Sequence, residues 1–477
     1  MPLADFQPVI GLEVHAQLLT ASKIFCGCST RFGAAPNANT CPVCLGMPGV
    51  LPVLNRKVVE FTVRTGVALG CQVRPTSIWS RKNYFYPDLP KGYQITQFDL
   101  PLCEYGELKI ETLEGTRAIR IRRIHMEEDA GKSVHSGGDS LVDLNRAGVP
   151  LMEIVSDPDL RTSEEAAEYL RTLRDILVYL GVNDGNLEEG SFRCDANVSV
   201  MRKGATEYGT RAELKNINSF RFVRQAIDFE IARQVELIES GRTVAQETRL
   251  WDAVLNETRS MRAKEDAHDY RYFPEPDLPP LQVASAFVEE IRSALPELPA
   301  AKLERFQSSL GLPKKDARVL VAEKPLADYF EAVLPFVKDA KKLCNWLLGE
   351  FLRLLREEAS AIATLRFTPA QLGALLTQVE GGDISASAGK EVLAEMFRTG
   401  MAPAEIIEAK GLGQLSDAGA VESVLNEVLA QFPGEIQSYR AGKTQVFGFL
   451  VGQAMKAMKG KGNPALVNAL LKKKLGN

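Results

Sequence analysis

Alternation of apolar and polar residues predicts several half-buried strands in the first part of the chain. In GLEVHAQL, residues 11–18, the even-numbered residues are apolar and the odd-numbered ones include Glu13 and His15. Successive side chains of a strand point to opposite faces, so this pattern predicts one buried and one ionisable face. The same alternation recurs in FRCDANVSV, residues 192–200, and in TRAELK, residues 210–215.

A helical period of apolar residues interleaves with these strands. The stretch TSEEAAEYLRTLRDILVYLG, residues 162–181, opens with Thr162 and Glu165 in a capping-box arrangement and stops at Gly181. Both end signals are typical of a helix of this length. A second helix is predicted from about residue 222 to 239.

Prolines indicate where the character of the chain changes. The stretch YFPEPDLPPL, residues 272–281, contains four prolines and predicts a domain boundary just after it. Beyond it the pattern is almost wholly helical, with a further break near Gly400 to Pro403. The chain is therefore predicted to be α+β, with a first domain over residues 1–290, an all-α domain over 291–400 and a helical tail domain over 401–477.

Composition and charge narrow the class of protein. The 477 residues are 45% apolar and 25% charged, an ordinary balance for a globular chain. There is no signal-peptide pattern at the start and no apolar run of ~20 residues, so a cytoplasmic protein without a membrane partner is expected. The net charge is −4, yet residues 438–477 contain eight Lys or Arg and no acid. That asymmetry predicts a nucleic-acid contact by the tail.

Four of the eight cysteines form a compact group, at Cys26, Cys28, Cys41 and Cys44. Cysteine pairs one or two residues apart, joined by a loop, have the spacing of a tetrahedral zinc site. Free buried thiols or a disulfide are the alternatives, and a cytoplasmic location disfavours the disulfide. Four thiolates leave no open coordination position, so the predicted zinc is structural.

The stretch HMEEDAGKS, residues 125–133, ends like a phosphate-binding loop but does not match one. The first glycine of such a loop would stand at Met126, and the three acids that follow would repel a phosphate. Carboxylates beside His125 suit a hard divalent cation better. Lys132 and Ser133 could be phosphate ligands or turn residues.

Acids on several predicted strands could form one oxygen-rich site for Mg²⁺ or Mn²⁺. Each acid alone is better explained as a solvated surface residue, and only their recurrence on otherwise apolar strands makes a metal site an equal alternative. Basic residues nearby could contact the phosphates that such an ion holds. The aromatic stretch at residues 80–97 is interpreted as a packed loop or as an active-site wall.

Longer motifs resemble the B subunits of the tRNA-dependent amidotransferases. In chain order they are GLEVHAQL, CPVCLGMPG, RKNYFYPDLPKGYQI, HMEEDAGK, DLNRAGVPLMEIVSDPD, FRCDANVSV and ELKNINSF, followed by NWLLGE and GFLVGQAMKAMKGKGNPALVNALL. They cover essentially the whole chain. No large insertion precedes the tail, so the archaeal paralogue is the weaker match.

The resemblance implies an ATP-dependent carbon–nitrogen ligase that forms a heterotrimer with an amidase A subunit and a small C subunit. ATP would phosphorylate the side-chain carboxylate of Glu-tRNA(Gln), Asp-tRNA(Asn) or both, and ammonia from glutamine hydrolysed in the A subunit would displace the phosphate. A non-discriminating aminoacyl-tRNA synthetase is a further expected partner. The first domain would be a cradle whose antiparallel sheet is similar to that of glutamine synthetase and the guanido kinases. Such chemistry needs positioning and charge rather than a covalent nucleophile.

The resemblance also assigns residues, with ATP, Mg²⁺ or Mn²⁺ and structural Zn²⁺ as the implied cofactors. Its zinc positions match the four cysteines, and within HMEEDAGK it favours Glu128 over Glu127. The basic tail would hold tRNA phosphates. A zinc-stabilised tRNA-binding scaffold without catalysis, and a stand-alone metallohydrolase, are the alternatives. The motifs carry over the catalytic and metal positions Glu13, His15, Glu128, Glu153, Asp195 and Glu213. Independently of the resemblance, the basic residues near these acids are the candidate nucleotide contacts: Lys82, Arg193, Arg211 and Lys215. The candidate tRNA contacts are the lysines of the basic tail: Lys443, Lys456, Lys459, Lys461, Lys472, Lys473 and Lys474.

Overall fold

The computed structural model describes residues 5–263, 270–414, 418–458 and 462–476. The chain divides into two compact units, Met1–Pro299 and Ala300–Asn477. The first unit is mixed α/β, and the described part of the second is helical. The domain boundaries expected near residues 290 and 400 stay predictions.

The three stretches predicted to be strands from their alternation are confirmed as strands, and all three lie in one large sheet. In chain order the strands are β1 (Phe6–Gln17), β2 (Gln72–Val73), β3 (Thr76–Ser77), β4 (Ser80–Asn83), β5 (Tyr93–Thr96), β6 (Cys103–Thr112), β7 (Gly115–Glu128), β8 (Lys132–Ser136), β9 (Asp139–Asp143), β10 (Pro150–Ser156), β11 (Phe192–Arg202), β12 (Ala212–Lys215), β13 (Glu247–Asp252), β14 (Glu257–Ala263), β15 (Phe273–Pro274) and β16 (Leu281–Gln282).

Both predicted helices of the first unit are confirmed, with small differences at their ends. Thr162 Oγ1 accepts a hydrogen bond from Glu165 N at 3.1 Å, but the Glu165 carboxylate accepts from Arg161 N at 2.7 Å, one residue earlier than in a capping box. The next helix begins two residues before its predicted start because Ser219 caps it. The helices are α1 (Arg56–Ala68), α2 (Ser163–Tyr179), α3 (Phe220–Glu239), α4 (Ser285–Ser293), α5 (Pro299–Ser308), α6 (Lys314–Ala322), α7 (Lys324–Val333), α8 (Ala340–Trp346), α9 (Leu352–Glu357), α10 (Pro369–Gly381), α11 (Ala386–Thr399), α12 (Pro403–Lys410), α13 (Ala418–Gln431), α14 (Pro433–Arg440), α15 (Val446–Ala457) and α16 (Pro464–Leu475).

The large sheet is mixed rather than purely antiparallel, which corrects the expectation. Ten strands of its described part run in the order β14-β13-β12-β11-β1-β10-β7-β5-β4-β15, and β6 pairs with β7 and with β2. The pair β12–β13 is parallel, whereas the other strand pairs of this sheet are antiparallel over the described residues. The helix α3 lies between β12 and β13 in the chain and supplies the crossover that parallel neighbours require.

One face of the sheet is the core of the first unit. The even-numbered residues Leu12, Val14 and Ala16 of β1 are fully buried, and side chains of α1, α2 and α3 join them in one apolar cluster. The period-2 geometry of a strand then sends the odd-numbered residues to the other face. The polar side chains of β1 therefore lie on the face that is not part of the apolar core.

The described part of the second unit packs its helices around aromatic residues and around a separate apolar cluster near the end of the chain. Phe351 lies 5.1 Å from Tyr329 and 5.4 Å from Phe397, measured between ring centroids. Residues of α13, α15 and α16, among them Leu425 and Leu471, form the separate cluster. Among the described residues, no helix combines the length and the apolar character that crossing a membrane requires.

Candidate active site and cysteine cluster

Strand register brings the predicted residues of β1, β10 and β11 together on the polar face of the sheet. His15 lies opposite Glu153, and Glu153 lies opposite His125 of β7. One pair further along β1, Glu13 lies opposite Asp195. Residues that are directly opposite in antiparallel strands have their Cβ atoms about 5 Å apart, so these side chains necessarily meet.

Two imidazoles and two carboxylates form the centre of this face. His15 Nε2 lies 3.5 Å from Glu127 Oε1 and 3.5 Å from Glu153 Oε2. His125 Nε2 lies 3.3 Å from the same Glu153 oxygen. Ligand atoms of His15, Glu127 and Glu153 all lie within 4.8 Å of one another. This spacing lets one cation contact all three side chains.

Burial and mutual contact shift the pKa values of the central group in opposite directions. Burial opposes protonation of His15, but hydrogen bonding to Glu153 and the nearby carboxylates outweigh it and raise the pKa of His15 to about 9. Burial lowers the pKa of His125 to about 4. Burial and the charge of Glu153 raise the pKa of Glu127, whereas burial at Glu153 is outweighed by the two imidazoles, which hold its pKa well below the usual range. Divergent shifts of this kind are common at functional sites.

A second acidic group adjoins the first and already contains a basic partner. Lys215 Nζ lies 2.6 Å from Asp195 Oδ2 and 3.0 Å from Glu213 Oε1. Thr248 Oγ1 donates to Glu213 at 2.8 Å, and Asn197 Nδ2 donates to Glu13 at 2.9 Å. Lys215 therefore neutralises part of this group.

Of the two adjacent acids of β7, the structure places Glu127 and not Glu128 at the cavity, whereas the motif favoured Glu128. Glu127 faces the cavity, while the neighbouring Glu128 points to the opposite side, where its carboxylate binds Lys91 and accepts from Ile95 N at 2.8 Å. Alternation along β7 was the signal that could have identified Glu127: Arg123, His125 and Glu127 share one face, while the residues between them are buried and apolar.

The residues that were predicted to contact phosphate do not all line the same cavity. Lys82, Arg211 and Lys215 line the same cavity as the acids. Arg193 instead donates to Asp129 Oδ2 at 3.0 Å, where Gln17 also donates. Lys132 and Ser133 begin β8, which pairs with β9 in a separate hairpin.

The polar face bounds a cavity with a volume of about 440 Å³. Its lining is mostly charged or amide side chains, but one part of its wall is aromatic. Several lining residues were not predicted: Gln97 and Phe98 follow β5, and Tyr270 and Tyr272 precede β15, where no alternation marks a face. The lining residues that were not assigned to the site are Thr96, Gln97, Phe98, Arg123, Asn197, Gln246, Glu247, Thr248, Tyr270 and Tyr272. His125 and Glu127 belong to the acidic stretch that was predicted to bind a divalent cation.

The four cysteines converge as their spacing predicts. Their sulfurs lie within 4.8 Å of one another, and Cys41 Sγ and Cys44 Sγ are 3.9 Å apart. Zinc–sulfur bonds of about 2.3 Å in a tetrahedron separate the sulfurs by about 3.8 Å. A hydrogen bond from Cys26, helped by the charge of Lys23, lowers the pKa of Cys44 to about 4. The geometry is compatible with zinc.

The tail lysines differ in their surroundings. Lys443 and Lys456 are exposed, as are Lys472 and Lys473. Lys474 Nζ lies 2.6 Å from Glu422 of α13, an acid that precedes the acid-free segment. The predicted residues Lys459 and Lys461 lie outside the described residues.

Comparison with known proteins gives full-length matches. Residues 8–289 match the model of the GatB/GatE catalytic domain, and residues 328–475 match that of the GatB domain. The chain is 72% identical over 479 residues to the B subunit of the aspartyl/glutamyl-tRNA(Asn/Gln) amidotransferase from Myxococcus xanthus (strain DK1622), covering 100% of both chains. The protein of the same name from Anaeromyxobacter dehalogenans (strain 2CP-C) is 62% identical to the chain, and the match covers 100% of both chains. The one from Geotalea uraniireducens (strain Rf4) is 59% identical, and the match covers 98% of this chain and 99% of the relative.

Proposed function

Because the chain belongs to the family of B subunits of the tRNA-dependent amidotransferases, we propose that the polar cavity of its sheet is where ATP activates the misacylated tRNA. The chain acts in the amidation of Asp/Glu-tRNA(Asn/Gln), as part of a glutamine-hydrolysing ligase. The observation that supports placing the activation step in this cavity is the convergence of His15, Glu127 and Glu153 from three neighbouring strands.

The donor set of the central group fits a hard divalent cation. Two carboxylates and one imidazole suit Mg²⁺ or Mn²⁺, and the raised pKa of Glu127 reflects a buried negative charge that a cation would stabilise. We assign His15, Glu127 and Glu153 as its ligands; Glu13, Asp195 and Glu213 form the adjoining group. When bound, the ion screens the negative charges of ATP and of the aminoacyl carboxylate from one another.

The chain's own residues then position the reactants. A side-chain carboxylate oxygen of the aminoacyl group attacks the γ-phosphorus of ATP, the bond to the ADP oxygen breaks, and an acyl phosphate forms. Ammonia next displaces phosphate from the acyl carbon and loses a proton. Lys82 of β4 and Arg211, just before β12, supply positive charge to the cavity lining, and Lys215 holds Asp195 and Glu213 in place.

We further propose that the cysteine cluster binds one structural zinc ion and that the tail holds the tRNA backbone. Four converging thiols support the first assignment, and exposed lysines such as Lys456 support the second. An amidase A subunit, which would release the ammonia, and a small C subunit complete the proposed complex, and a non-discriminating synthetase would supply the misacylated tRNA.

The test uses the purified complex and two variants, Glu153→Gln and His15→Ala. We expect ADP formation that depends on Glu-tRNA(Gln) to fall at least about 100-fold, since even residues that only orient metal ligands are worth 10- to 100-fold. Glutamine hydrolysis by the partner and tRNA affinity should stay unchanged. A matched control is Glu107→Gln, because that carboxylate on β6 is about half exposed, near Lys109, and does not line the cavity.

Unchanged ADP formation in both variants would reject the catalytic assignment and would support the scaffold alternative. Hydrolytic activity of the purified chain without partner subunits and without ATP would instead support a stand-alone metallohydrolase.

A further inference from the structure

An aromatic pair forms part of the wall of the otherwise polar cavity. The rings of Phe98 and Tyr272 are stacked, with centroids 4.0 Å apart and planes inclined by 8°. Both residues line the cavity together with Tyr270. Phe98 follows β5 and remains 42% exposed, which is unusual for a large apolar ring inside a charged site.

Polar contacts with β4 hold the segment that carries Tyr272 in place. Arg81 donates to the buried carboxylate of Glu275 at 2.7 and 2.9 Å, which fixes β15 against β4 just after Tyr272. Asn83 N donates to Tyr270 O at 2.9 Å, and Asn83 Nδ2 donates to Arg271 O at 2.7 Å. The segment that carries the tyrosines is therefore fixed from both ends of β4.

The surroundings of the pair combine a flat apolar surface with positive charge. Lys82 Nζ lies 4.7 Å from the ring centroid of Tyr270, and Arg123 lines the same cavity. A planar ring beside cations is the arrangement that proteins use for nucleotides, with bases stacked on aromatic side chains and phosphates held by Lys or Arg. Neither a free amino acid nor ammonia needs such a surface.

We propose that the Phe98–Tyr272 pair stacks against an adenine ring. This inference rests on the proposed function, which brings two adenosines into the cavity. One is the base of ATP, and the other is the terminal adenosine of the tRNA, to which the aminoacyl group is attached. Stacking would place the attached phosphates or ester toward the acidic centre of the sheet.

The experiment measures steady-state kinetics of the complete complex carrying Phe98→Ala or Tyr272→Ala. Loss of one stacking surface should raise one KM about 5- to 100-fold and leave kcat at saturation within about twofold, because stacking supports binding before and during the reaction. A raised KM for ATP identifies the ATP base, and a raised KM for Glu-tRNA(Gln) identifies the terminal adenosine. Binding of a fluorescent ATP analogue without tRNA checks the first case independently.

Two further variants separate stacking from packing. Phe98→Leu keeps apolar volume but removes the flat ring, so it should raise the same KM. Phe98→Tyr keeps a flat ring, so its KM should equal that of the unchanged complex. Phe85→Ala is the matched control, because Phe85 is 82% exposed and lies on a different surface. The melting temperature of each variant confirms that it is folded.

Both KM values unchanged in folded Phe98→Ala and Phe98→Leu complexes would overturn the inference. That result differs from failure of the proposed function, which would appear as unaffected ADP formation in both Glu153→Gln and His15→Ala. A changed KM together with an active Glu153→Gln complex would keep the stacking site and reject the metal assignment.

Discussion

The acidic cavity and the cysteine cluster are built in opposite ways. The cysteine cluster takes all its sulfurs from residues 26–44, and short turns bring each pair together. The cavity takes its side chains from many strands, between Glu13 and Tyr272. A chelating loop needs only local geometry and an ion, whereas the cavity needs every strand to be in the right register. The two sites should therefore fail in different ways when they are mutated.

The strongest contrast is expected between two adjacent acids of β7. Glu127→Gln should lower tRNA-dependent ADP formation at least about 100-fold, because Glu127 faces the cavity. Glu128→Gln should change kcat less than about tenfold and should mainly lower stability, because it leaves the ammonium of Lys91 without its carboxylate. Kinetics and thermal unfolding of both variants check the difference. Equal losses of kcat in Glu127→Gln and Glu128→Gln would contradict the assignment of Glu127, and not Glu128, to the cavity.

Removal of zinc should affect folding more than chemistry. Cys41→Ser should lose the proposed zinc ion and lower the free energy of unfolding by about 3 kcal/mol or more, because the ion would link the turn at Cys26 and Cys28 to the turn at Cys41 and Cys44. Zinc analysis and denaturant unfolding measure both effects. Cys344→Ser is the control, since this buried thiol lies in α8 of the second unit and should leave the zinc content unchanged. Full zinc content in Cys41→Ser would refute the four-cysteine site.

A smaller effect tests how the cysteine cluster is attached to the rest of the unit. The ammonium of the fully buried Lys23 donates to Asn39 O at 2.7 Å and to Leu144 O at 3.3 Å. Lys23→Met should cost about 1–3 kcal/mol of folding free energy, because these carbonyls lose their donor, while zinc stays bound. Chemical denaturation with zinc analysis measures it, and the exposed Lys57→Met serves as the control. Loss of zinc would show that Lys23 supports the thiolates themselves.

The weakest effect is expected in the tail. Its positive charges lie close together in the sequence, but one of them pairs with an acid outside the tail. Lys456→Ala should weaken tRNA binding a few-fold and reduce the slope of log affinity against log salt by about one. Lys474→Ala should have less effect, because Glu422 already neutralises that lysine. Binding of tRNA at several salt concentrations checks this order. A steeper loss in Lys474→Ala would show that the ion pair opens on binding.

Much of the local structure could be predicted from the sequence, and the family resemblance is confirmed. Alternation located β1, β11 and β12, and capping located α2. The motif HMEEDAGK by itself does not show which of Glu127 and Glu128 faces the cavity; the alternation of β7 does. The parallel pair β12–β13 was missed because the pattern within a strand carries no information about the direction of its neighbour.

On its own, the amino-acid sequence specifies which residues share a face, which cysteines can bind one ion and where helices begin. These properties depend on neighbours a few residues apart, and the repeat of a helix or strand makes them regular. The folded sheet was needed to show that His15, Glu153 and His125 lie in one row across three strands, that Glu127 two residues along β7 reaches His15, and that Phe98 stacks on Tyr272. The physical reason is that register and strand order come from burying one face of the whole sheet at once, a condition that no single segment contains.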